Sequence, residues 1–70
     1  MKIGRIASAD VKHIISREDG KFRRVGNLKN KKKAIGIAKN FPNAKVLYNQ
    51  QNGQKFYNIY KPVKYFHKGL

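Results

Sequence analysis

Two dipeptides, Asp19-Gly20 and Asn52-Gly53, do most to limit what this chain can fold into. Each separates two runs rich in β-branched and aromatic residues. A two-residue type I′ turn requires positive φ at both central positions, so Asp-Gly and Asn-Gly in that setting mark β-hairpins. Before the first turn stand Val11, Ile14 and Ile15, and after it Phe22 and Val25. This predicts an antiparallel hairpin over about 11–26, with Ile14 opposite Val25, Ile15 opposite Arg24 and Arg17 opposite Phe22. Around the second turn the same logic predicts a hairpin over about 45–60. Val46 then faces Ile59 and Tyr48 faces Tyr57 on one side of the strands. Aromatic and β-branched cross-strand pairs of this kind contribute about 0.2–1 kcal/mol each. A short apolar segment near the N-terminus, with Ile3 and Ile6, reads as a further strand.

Between the hairpins the apolar period changes from 2 to 3.6. Ala34, Ile35, Ile37, Ala38 and Phe41 fall within an arc of about 160° at 100° per residue, with Lys32, Lys33 and Lys39 on the opposite side. Asn30 or Asn27 can cap the start and Pro42 ends the run, so a helix is predicted over about 30–41. Three lysines, Lys31, Lys32 and Lys33, stand in its first turn. There they oppose the helix macrodipole at about 0.3–1 kcal/mol each. The expected fold is α+β in the order β-β-β-α-β-β. A small antiparallel sheet of two hairpins, plus the short N-terminal strand, packs on one amphipathic helix as a single small basic domain over 1–70. The segment 63–70 is expected to be a loose tail.

Composition then narrows the function. The chain has 70 residues, with 17 Lys+Arg against 3 Asp+Glu and a net charge of +14. Such a charge, with a mean hydropathy of −0.73, would suit a disordered tail. The ordered apolar pattern and 40% hydrophobic content argue instead for a fold. No cysteine is present, which removes disulfides, thiolate metal sites and cysteine nucleophiles. His13 and His67, with no cysteine and few carboxylates, make no credible metal site, so neither a metal nor a cofactor is expected. Asp10, Glu18, Asp19 and the two histidines are too small a stock for acid–base or triad chemistry, so no catalytic residue is assigned and no enzyme is expected. No apolar run reaches the ~20 residues a membrane helix needs, and a cytoplasmic location is expected. The helix stripe is committed to the core, which argues against a membrane-surface role.

The basic residues form three sequence groups. Lys29, Lys31, Lys32, Lys33 and Lys39 lie on and before the helix; Arg17, Lys21, Arg23 and Arg24 lie at the first hairpin; Lys55, Lys61, Lys64 and Lys68 lie towards the C-terminus. Self-repulsion on this scale costs stability that a polyanion would relieve, and each neutralised phosphate releases counterions. Phe56 and Tyr60, with Leu47, Asn49 and Asn58, fall on the strand face opposite the expected core, where aromatics can stack on unpaired bases and asparagines can read base edges. The expected function is a nucleic-acid-binding accessory protein, for DNA or RNA. Phosphates would be contacted by Lys29, Lys32, Lys33, Lys39, Arg17, Lys21, Arg23 and Arg24, with Phe56 and Tyr60 as stacking residues. The alternative is a small interaction module or inhibitor docking on an acidic protein. Zinc-finger spacing, an RNP1 motif and a KH-type GxxG loop are absent from the sequence, and one helix cannot make a helix-turn-helix.

Overall fold

The computed structural model describes residues 3–63. Its elements are β1 (Ile3–Arg5), a 3₁₀ turn (Ser8–Asp10), β2 (Ile14–Arg17), β3 (Gly20–Leu28), α1 (Lys31–Ala38), β4 (Lys45–Gln51) and β5 (Gln54–Pro62). Of the expected tail, 63–70, Val63 is held by its N–H donating to the Lys21 carbonyl at 2.9 Å; residues 64–70, with Lys64 and Lys68, lie outside the described residues.

The five strands make one curled sheet in the order β1-β4-β5-β3-β2. It is mixed, which corrects the antiparallel expectation. β1 runs parallel to β4, with Ile3 beside Val46 and Arg5 beside Tyr48. The two hairpins join through β3 and β5, antiparallel from Phe22 against Pro62 to Leu28 against Tyr57. Hairpin signals are local and say nothing about this central seam. After β1 the chain crosses one face of the sheet to reach β2 at the far edge, so β1 and β2 never meet.

The second hairpin has the expected register, with Val46 opposite Ile59 and Tyr48 opposite Tyr57. Asn52 (φ 53°) and Gly53 (φ 79°) supply both left-handed positions of its turn. The first hairpin is displaced. Arg17 pairs with Gly20, Ile15 with Phe22 and Ile14 with Arg23. Glu18 and Asp19 keep negative φ, and Gly20 alone turns positive at φ 124°. The loop is therefore Glu18-Asp19 followed by a glycine, a geometry that spares aspartate the left-handed region. The slip is two residues, so each side chain stays on its expected face.

Helix α1 starts where the cap chemistry indicates. The Lys33 backbone N–H donates to Asn30 Oδ1 at 3.0 Å, satisfying a donor that the first turn leaves open. It ends three residues before the predicted boundary of 41, at Ala38. The chain then turns through Asn43, whose φ is 62°. Its buried side is narrower than expected: Ala34 and Ala38 have no exposure, whereas Ile37 is 37% exposed. Two alanines one turn apart let the helix backbone sit close to the sheet.

Both sheet faces are covered. On the helix side Val46 and Ile59 meet Ala34 and Ala38, flanked by Ile3, Val25, Leu28 and Tyr57. On the other side Ile6, Ile15, Phe22, Leu47 and Tyr60 form a second core, closed by Val11 of the crossing segment. A bulge between Arg24 and Gly26 shifts the β3 register against β5. Side chains of β3 alternate one way before it and the opposite way after it.

Candidate nucleic-acid interface

Strand alternation parts the basic residues between the two sides of the sheet. Helix α1 carries Lys32 and Lys33 on its exposed surface, with Lys39 as its C-cap. Lys21 and Arg23 share a face with Val25 and so stand on the helix side, as do Lys55 and Lys61. Arg23 sits directly opposite Lys61 across β3 and β5, and like charges so placed repel. Lys61 Nζ lies 5.7 Å from the centre of the Phe41 ring just beyond the helix, and Lys55 Nζ lies 5.1 Å from that of Tyr48. Both ammonium groups thus rest on aromatic faces, an arrangement worth about 0.5–1 kcal/mol when exposed.

The other side holds Arg17, Arg24, Lys29 and Lys45. Lys45 pairs with Asp19 at 3.1 Å and also stands 5.1 Å from the Phe22 ring centre. The hydrogen bond from Lys45 holds the Asp19 carboxyl below its ordinary range. Sequence grouping put Arg17, Lys21, Arg23 and Arg24 together, but the hairpin displays them on two opposed surfaces.

The aromatic assignments divide. Tyr60 has no exposure, and its hydroxyl donates to the Lys12 carbonyl at 2.7 Å. Burial raises its pKa. Its ring lies under the crossing segment and cannot stack on a base, which corrects its place among the site residues. Phe56 is half-buried, with Lys29 Nζ 5.9 Å from its ring centre.

Beside Phe56 runs a ladder of amides. Asn58, with no exposure, donates from Nδ2 to the Leu47 carbonyl at 3.0 Å and to Asn49 Oδ1 at 2.9 Å. Asn27 Nδ2 donates to Asn58 Oδ1 at 2.6 Å. Asn49 Nδ2 donates to Ser8 Oγ at 3.1 Å, and that hydroxyl donates to the Gln50 carbonyl at 3.1 Å. A carbonyl only accepts, so the carbonyls of Leu47 and Gln50 dictate which way every amide points. Asn58 is therefore used up inside the fold and cannot read a base, contrary to the sequence expectation.

Ser8, Asn27 and Asn49 of the ladder line an open groove of about 280 Å³ together with Val11, Arg24, Gln51 and Phe56. Sequence reasoning missed Asn27 and Ser8. Asn27 reaches this side only because of the bulge, whose sequence signal was Gly26 inside a strand. Ser8 arrives on the crossing segment, which no local signal announces. Among the described residues no group of three or more His, Cys, Asp or Glu is placed to hold a metal, and no helix is long and apolar enough to cross a membrane. Comparison of the chain with protein-family models, curated proteins and solved structures finds no match to any of them.

Proposed function

We propose that this chain is a non-catalytic nucleic-acid-binding protein that holds its target chiefly through phosphate contacts. The observation carrying the reading is that cations occupy positions where they oppose the fold. Lys31, Lys32 and Lys33 fill the first turn of α1, at a combined cost of about 1–3 kcal/mol against the helix dipole. Arg23 directly opposes Lys61. The whole chain has three acids to offset 17 basic residues. Local choices that work against the fold are expected at functional positions. A polyphosphate supports them best, because its charge density repays the repulsion and releases counterions.

On this reading Lys32 and Lys33, with Lys39, Arg23 and Lys21 on the same side, meet the phosphate backbone. The test is fluorescence anisotropy of a labelled oligonucleotide with the unmutated chain and with the Lys32→Gln/Lys33→Gln variant. The variant should bind more weakly and lose about 0.9 per phosphate contact from its log–log salt slope on duplex, while melting no lower than the unmutated chain. Equal affinity and equal slope would refute the assignment of the helix face. Binding to an acidic protein but to no oligonucleotide would refute the nucleic-acid reading itself.

A further inference from the structure

We propose that the groove beside Phe56 seats one unpaired nucleobase of a single-stranded nucleic acid, an inference that rests on the nucleic-acid reading above. Three features of the groove converge on that ligand. Phe56 lines the groove and is half-buried, and an aromatic side chain is a platform on which any base can stack. Asn27 and Asn49 line the groove with amides whose orientation the ladder fixes, and Gln51 adds a third amide. The ladder takes Asn27 Nδ2 into its bond with Asn58 and leaves Asn27 Oδ1 and one N–H outside it, and Asn27 and Gln51 are both exposed. An amide presenting one acceptor and one donor matches a base edge in two hydrogen bonds.

The third feature is charge. Arg24 lines the groove, Lys29 stands at the Phe56 ring, and no carboxylate is among the lining residues. A base bound there has two cations, Arg24 and Lys29, near enough to serve its flanking phosphates. Lys29 is also where the groove side gives way to the helix, since Lys31–Lys33 follow it within a few residues. A strand leaving the groove past Lys29 would meet those lysines next. A duplex cannot use the site, because its bases are stacked on both faces and their edges are paired.

The amides also carry the choice between a base and a bare phosphate. A phosphate site needs converging donors, whereas this groove also fixes an acceptor, Asn27 Oδ1, in a lining that includes an aromatic ring. The binding energy is therefore expected to depend on the base and not only on charge.

The experiment compares single-stranded oligonucleotides with the duplex of the same sequence at one salt concentration, in DNA and RNA forms. It uses the unmutated chain and Phe56→Leu, which keeps apolar bulk but removes the ring. The single strand should bind the unmutated chain at least about fivefold more tightly than its duplex, the lower end of one base–aromatic stack. Phe56→Leu should erase that difference and leave duplex affinity unchanged. Should the variant fail to fold, NMR titration of the unmutated chain decides: the Phe56 ring protons and the Asn27 side-chain amide must shift with the single strand and stay still with the duplex. Equal binding of single strand and duplex, or a preference that Phe56→Leu leaves intact, overturns the base site while the electrostatic reading stands. Binding of neither at low salt overturns both. Agreement between the DNA and RNA arms assigns recognition to the base, and a difference adds the 2′-hydroxyl.

Discussion

Asn58→Asp replaces an amide with a carboxylate of nearly the same shape at the centre of the polar ladder. Asn58 has no exposure, and its Nδ2 supplies the Leu47 carbonyl at 3.0 Å and Asn49 Oδ1 at 2.9 Å. After the exchange an oxygen faces both acceptors and, while ionised, can donate to neither. Leu47 and Asn58 are opposite each other in the hairpin, at a position where paired residues exchange backbone hydrogen bonds, so the Leu47 carbonyl keeps the Asn58 backbone N–H. Asn49 Oδ1 loses its donor, at about 1–3 kcal/mol, before any cost of burying charge. A domain of this length holds roughly 3.5–10 kcal/mol in all. Even the lower figure of about 1 kcal/mol corresponds to a fall of about 4–8 °C in Tm.

The loss must depend on pH. Burial lifts the folded-state pKa of the new carboxyl above its unfolded value of about 3.9. The folded variant therefore binds the proton more tightly than the unfolded one. The penalty is complete above the folded-state pKa and shrinks as pH falls from there to about 3.9, where the protonated group can again donate to one acceptor. Urea unfolding followed by circular dichroism at pH 7 and pH 4, with the unmutated chain as control at each pH, measures both effects. A variant within 0.5 kcal/mol of the control at pH 7, or an equal loss at the two pH values, would refute the fixed polarity of the ladder.

Two other substitutions probe how the fold and its charge oppose each other. Asn30→Ala removes the acceptor of the Lys33 N–H and should cost about 1 kcal/mol, read as a lower urea midpoint with an unchanged m value; no loss would mean the cap is idle. Arg23→Thr removes the cation opposite Lys61, so it should stabilise the sheet by about 0.2–1 kcal/mol while weakening oligonucleotide binding; a gain in stability with undiminished binding would take Arg23 out of the interface.

The parts of the fold legible in the sequence are those set by neighbours in the chain. Asn52-Gly53 fixed a register that the strands keep throughout, because both residues accept positive φ at little cost. Asn30 announced the helix start in the same way. Asp19-Gly20 misled by two positions, since aspartate gains nothing from the left-handed region when a glycine follows it. The parallel β1–β4 pair and the β3–β5 seam join residues 29 or more positions apart, and no local pattern encodes them. The candidate site shows the same division. Exposed helix lysines could be read from periodicity, but the groove needed a bulge to turn Asn27 over and a crossing segment to bury Tyr60. Phe56 and Tyr60 share a face and alternate identically; only the chain crossing above them separates an open ring from a covered one.

The central claim is that this surface is built for phosphates, and the salt dependence of binding tests it most directly. Anisotropy titrations of the unmutated chain against one labelled oligonucleotide from low to moderate salt give log K against log salt. With about five phosphates neutralised, the slope should be near −3.5 on a single strand or −4.5 on a duplex. A slope near zero, at whatever affinity, would contradict the account.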